Sequence, residues 1–103
     1  MAYERTALDA TLSAAAGDDL VLQAELRAAF MASVRRQADL LRRSRCDGNW
    51  RMAALRLRTI AASFHAETLL AFADAALAAA PGEPTVVRMI EEQCELLDRN
   101  EQM

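Results

Sequence analysis

The stretch Asn49–Ala66, NWRMAALRLRTIAASFHA, decides how the chain is read. Placed on a helix at about 100° per residue, it divides into two unlike faces. Trp50, Ala53, Ala54, Leu57, Ile60, Ala61 and Phe64 recur at helical spacing and predict a stripe that faces a core. Arg51, Met52, Leu55, Arg58, Thr59 and Ala62 fall on the far side. Leu55 stands near the middle of that outer face, with Arg51 one turn before it and Arg58 and Thr59 one turn after. An apolar residue ringed by arginines on the solvent side has the form of an interface core within a charged rim, to which Met52 can add.

Upstream of this helix, Cys46-Asp47-Gly48-Asn49 reads as a turn in which glycine permits positive φ and Asp or Asn caps the helix after it. Before the turn, a long helix is expected from about Asp19 to Ser44. Its stripe is Leu22, Leu26, Ala29, Phe30, Ser33, Gln37, Leu40 and Leu41, with Arg27, Arg35, Arg36, Arg42 and Arg43 over much of the remainder. Gln37 lies on the stripe side, where a polar group is expected to find a partner or to sit near a surface opening. A first helix runs from about Tyr3 to Ala15 with Leu8, Leu12 and Ala15 at helical spacing, and Gly17-Asp18-Asp19 ends it and caps the next.

Downstream, no proline or glycine marks the end of the Asn49–Ala66 helix, and only a change of stripe places the break near His65. A fourth helix, about Glu67 to Ala80, buries Leu69, Phe72, Ala73, Ala76 and Leu77. Pro81-Gly82-Glu83-Pro84 is a loop, with Pro84 suited to the first turn of a last helix. That helix reaches about Arg99 and packs Val87, Ile90, Cys94 and Leu97, with Met89 as gap-filling core and Glu91, Glu92 and Glu95 outward. The expectation is an all-α single domain over residues 1–103. Helices two to five form an antiparallel up-down four-helix bundle, about residues 19–100, and the short N-terminal helix covers an end or a side.

Composition agrees with this. The chain has 103 residues, 53% of them apolar, with three glycines and two prolines, and lacks alternating strand patterns. The formal charge of −3 conceals an asymmetry. Nine of the twelve arginines fall between Arg27 and Arg58 against two acids, a net +7; the rest holds three arginines and 13 acids, a net −10. Such a split predicts a basic surface aimed at an acidic partner. Cys46 and Cys94 have no metal-ligand spacing and read as reduced thiols of a cytoplasmic protein. No signal peptide or membrane-spanning run is expected, since Thr68–Ala80 is too short to span and contains Asp74.

The chain resembles the histidine phosphotransfer (HPt) domain of bacterial phosphorelays over most of its length. ALDATLSAAAGDDLVLQAELRAAF is similar to that family's first helix, acidic turn and L-x-x-E-L-x-x-x-F opening of the second helix. DGNWRMAALRLRTIAASFHAETL resembles the signature helix, which carries a stretch of the form A-H-x-L-K-G-x-A. On that pattern Ala54 matches the alanine, Leu55 the phospho-accepting histidine, Leu57 the leucine, Arg58 the lysine and Thr59 the small glycine. His65 and Ala66 match a Gly-Ala found beyond that stretch in the family. The resemblance implies an HPt-type bundle and a receiver domain of a response regulator, or a histidine kinase, as partner. Arg58 can supply the positive charge such a site needs. Leu55 has no nucleophilic atom, however, and Thr59 crowds a position that is usually open. The expected activity is therefore docking without catalysis, through Arg51, Met52, Leu55, Arg56, Arg58 and Thr59, with Arg35, Arg36 or Gln37 alongside.

His65 is the only histidine, so phosphotransfer on histidine would have to use it. It lies at the flank of the core stripe, about 15 Å along the axis from Leu55, and reads as a boundary residue with a satisfied hydrogen bond or solvent contact. A metal site is not expected, because one histidine with scattered carboxylates forms no recognised ligand set, and no cofactor motif is present. A nucleic-acid partner is disfavoured by the absence of basic–aromatic interleaving and of a helix-turn-helix. Two rivals stay open: active phosphotransfer through His65, and a structural or dimerisation bundle unrelated to phosphorelays. A homodimer is compatible with each reading.

Overall fold

The computed structural model describes residues 2–99, and the side chains of residues 6–98. Met1 and residues 100–103, which the single-domain reading includes, lie outside the described residues. The chain folds into α1 (Ala2–Ala16), α2 (Leu20–Arg43), α3 (Asp47–Ser63), α4 (Glu67–Ala78) and α5 (Pro84–Arg99). No strand occurs among the described residues, and no helix is long and apolar enough to cross a membrane. Helices α2, α3, α4 and α5 pack in a closed cycle, each on the next and α5 back on α2, while α1 lies against α2.

The ends of the helices follow local chemistry. Gly17 closes α1 at φ 65°, and the Asp19 carboxylate accepts the Leu22 N–H at 3.0 Å to start α2. The α2–α3 turn differs from the expected one. Extended Cys46 occupies the capping position without a side-chain bond, and Asp47 and Gly48 are already helical. Asp47 in the first turn suits the positive end of the helix dipole, so no positive-φ glycine is needed there. Helix α3 stops without glycine. His65 adopts φ 60°, the Ala66 N–H reaches back to Ala61 O at 2.9 Å and the His65 N–H to Ala62 O at 3.2 Å. This is a Schellman stop with histidine in the position that glycine usually fills. At the last turn, the Glu83 carboxylate accepts the Thr85 N–H at 2.9 Å, which holds the Glu83 carboxyl below its ordinary range.

The core comprises Phe30, Val34, Leu41, Trp50, Leu57, Leu69, Ile90 and Leu97, with Leu8 and Leu12 from α1. Of the predicted α3 stripe, Trp50, Ala53, Ala54, Leu57 and Ala61 are buried, while Ile60 and Phe64 are partly buried against the core. Trp50 Nε1 donates to Ala76 O at 2.8 Å inside the core, which fixes α3 against α4. The α2 stripe is shifted from the one expected. Met31, Val34 and Ala38 are buried, whereas Leu22 and Ala29 are exposed, as is Ala15 on α1. The reason is length. Phe64, at the end of α3, stacks on Phe30 with ring centroids 4.7 Å apart. The ten residues of α2 before Phe30, about 15 Å of helix, therefore run past the end of α3. Helix α1 covers part of this overhang, where Asp9 pairs with Arg27.

Candidate functional site

The outer face of α3 is as the periodicity predicts. Arg51, Met52, Leu55, Arg58, Thr59 and Ala62 are all exposed, and so is Arg56, which the docking face also includes. Met52 and Leu55, at 49% and 38% exposure, are the only large apolar side chains of α3 so placed among the described residues. Helix α2 runs beside this face. Between the two helices lies a shallow groove of about 390 Å³ lined by Ser33, Arg36, Gln37, Leu55, Arg56, Thr59 and Ile60. A second depression, of about 320 Å³, continues it one turn further on, lined by Leu40, Arg43, Ser44, Asn49, Met52, Ala53 and Arg56. Arg56 borders both.

The arginines that the sequence groups together divide in space. Arg58 donates to Asp74 of α4 at 2.7 Å, so its charge is already offset at close range. Arg35 turns towards α5 and pairs with Asp98, and that carboxylate holds the Arg35 guanidinium above its ordinary range. It borders a different depression, with Ala38, Asp39 and Cys94, and does not join the α3 face. Arg42 pairs with Asp39 at 3.0 Å and with Glu91 at 3.2 Å, and Arg43 with Asp39 at 2.8 Å. Arg36, Arg51 and Arg56 make no ion pair among the described residues. The expected basic patch is thus narrowed to these three around Leu55, with Arg35 outside it and Arg58 neutralised at its edge.

Gln37 is 7% exposed, lines the groove, and its Oε1 is buried without a hydrogen-bond partner. The Thr59 hydroxyl donates to Leu55 O at 3.1 Å. With that hydroxyl committed to its own helix and a hydrocarbon at position 55, the centre of the face offers contact and charge but no nucleophile.

His65 lies at the α3–α4 corner, with Nδ1 3.0 Å from Thr11 Oγ1 of α1. It is exposed and has a hydrogen-bonding neighbour, in keeping with a boundary residue. Cys94 is buried, and burial pushes its thiol up to about 11, whereas Cys46 is exposed. Among the described residues, no three His, Cys, Asp or Glu side chains are placed to hold a metal.

Sequence reasoning missed the partners Asp74 and Asp98. Asp74 carried a signal: it is the one acid in the otherwise apolar run Thr68–Ala80, where a charge is expected to have a partner. No protein-family model, curated protein or solved structure matches the chain.

Proposed function

We propose that the chain is an HPt-like docking module of bacterial two-component signalling. In this reading α2–α5 form an antiparallel up-down bundle, and the α2–α3 face binds the receiver domain of a response regulator, or its histidine kinase, in the cytoplasm without carrying a phosphoryl group. One observation carries it: at the position matching the family's phospho-accepting histidine, an exposed Leu55 stands beside Arg51 and Arg56, neither with an ion pair. Acidic groups around a receiver's phosphorylated aspartate would meet these arginines, and apolar contact with Leu55 and Met52 would exclude water.

Binding measurements with receiver domains test the reading. Leu55→Glu and Arg56→Glu each weaken binding by about tenfold or more, since each puts a carboxylate against an acidic partner. Both side chains are exposed, so the melting temperature stays near the wild-type value. Arg58→Glu is a poorer probe, because it places a second carboxylate beside Asp74. Wild-type affinity in both Leu55→Glu and Arg56→Glu rules out this face.

A dimerisation module is the second reading, favoured by Leu20 and Val21, 75% and 70% exposed on the α2 overhang. Receiver binding separates the two: a module that only self-associates through the overhang binds no receiver, and Val21→Lys is expected to abolish its dimer in light scattering.

A further inference from the structure

The docking reading assigns a face but not what the face selects, and Gln37 supplies that. A buried carbonyl oxygen without a partner costs free energy in the isolated protein, and such groups in folded chains are few. Gln37 Oε1 is one, in a side chain 7% exposed, on the wall of the α2–α3 groove. The neighbouring lining is of two kinds. Leu55 and Ile60 are apolar, and Arg36 and Arg56 are cations without ion pairs. The orphan atom is a carbonyl oxygen, which accepts and cannot donate, and it meets a donor when the amide turns towards the groove that Gln37 lines. The flanking arginines disfavour a cationic one.

We propose that the α2–α3 groove selects an acidic protein segment that also presents a neutral N–H or O–H donor, which bonds to Gln37 Oε1 while its carboxylates meet Arg36 and Arg56. The segment lays an apolar side chain over Leu55. Gln37 is then the residue that distinguishes a correct partner from any other acidic surface. Arginines attract acids in general, whereas an acceptor left unsatisfied in the free protein favours only a segment that brings it a donor. The inference rests on the docking reading for the identity of the face and adds the chemistry of its occupant.

The probe is a panel of purified receiver domains, titrated against the wild-type chain and against Gln37→Met, which keeps length and removes the acceptor. Gln37→Leu serves as a second variant of different shape. A binding role and a structural role predict opposite changes. Removing an unsatisfied buried acceptor leaves the melting temperature unchanged or raises it, while affinity for a cognate receiver falls about tenfold because the partner's donor is left unpaired. Weak binders in the panel lose little, so the spread of affinities narrows. Cognate binding that survives both variants overturns the role of Gln37 and leaves the docking reading standing. Binding to no receiver at all overturns the docking reading and this inference with it. Self-association of the wild-type chain that Gln37→Met reverses would make a second copy the occupant and overturn the assignment to a separate partner.

Discussion

At the scale of single residues, His65 shows how much one position can carry without chemistry. An L-residue at φ 60° is strained by about 1–2 kcal/mol relative to right-handed backbone, and glycine is not. His65→Gly is therefore expected to keep or raise stability, by up to about 1 kcal/mol, the loss of the Thr11 contact being smaller than the strain relieved. His65→Val is expected to lower it. Thermal melts of the two variants check this, and a stability loss in His65→Gly would contradict it. The helix end was legible only as a change of stripe, because a left-handed histidine leaves no compositional mark. The two cysteines differ as sharply. Cys46 is exposed and is expected to react with a thiol reagent in the native protein, while buried Cys94 is expected to react only on unfolding. Because the folded chain holds the Cys94 thiol at about 11 against 9.0 for the ordinary group, unfolding releases a proton between those values. Its contribution to stability is thus full below about pH 9 and lost as pH rises towards 11, a fall that Cys94→Ala removes from a denaturation series.

At the scale of elements, the α3–α4 pair is fixed by the hydrogen bond from Trp50 Nε1 to Ala76 O. Trp50→Phe keeps an aromatic ring and removes the donor. About 1–2 kcal/mol of stability should be lost, a fall of about 4–8 °C in Tm per kcal/mol for a domain of this size. An unchanged Tm would show that this contact does not fix the pair. The existence of all five helices, the inward face of α3 and the loop before Pro84 were legible, since each rests on local periodicity or a proline. The stripe of α2 was not. Periodicity reports a face for every turn, but Leu22 and Ala29 lie where α2 outruns α3, and relative helix lengths and packing level are tertiary quantities. The capping of α3 was misread for a simpler reason: Asp47-Gly48 has the composition of a turn, yet both residues fit a helical first turn.

At the scale of the whole molecule, the arginine cluster in sequence becomes a smaller patch in space. Carboxylates on other helices, Asp9, Asp98, Glu91 and Asp74, take up Arg27, Arg35, Arg42 and Arg58. Apart from the pair of Arg27, whose side chain is largely buried, these are exposed pairs that add little stability, about 0–1 kcal/mol each. Their consequence is to leave Arg36, Arg51 and Arg56 as the arginines of the α2–α3 face without an ion pair among the described residues, with Arg45 in the turn between those helices likewise unpaired. No count of charges along the chain could have separated these sets, because the pairing depends on which helices become neighbours. Steering by so few cations predicts an association rate that falls as salt rises, with a shallower dependence in Arg56→Glu than in wild type. The most direct measurement mixes the chain with phosphorylated receiver domains and tracks both complex formation and movement of the phosphoryl label. A receiver that binds while the label stays off this chain is the result expected of a docking module with leucine at its centre. Label appearing on the wild-type chain and lost in His65→Ala would contradict it, and would make this a phosphotransfer protein working from the α3–α4 corner.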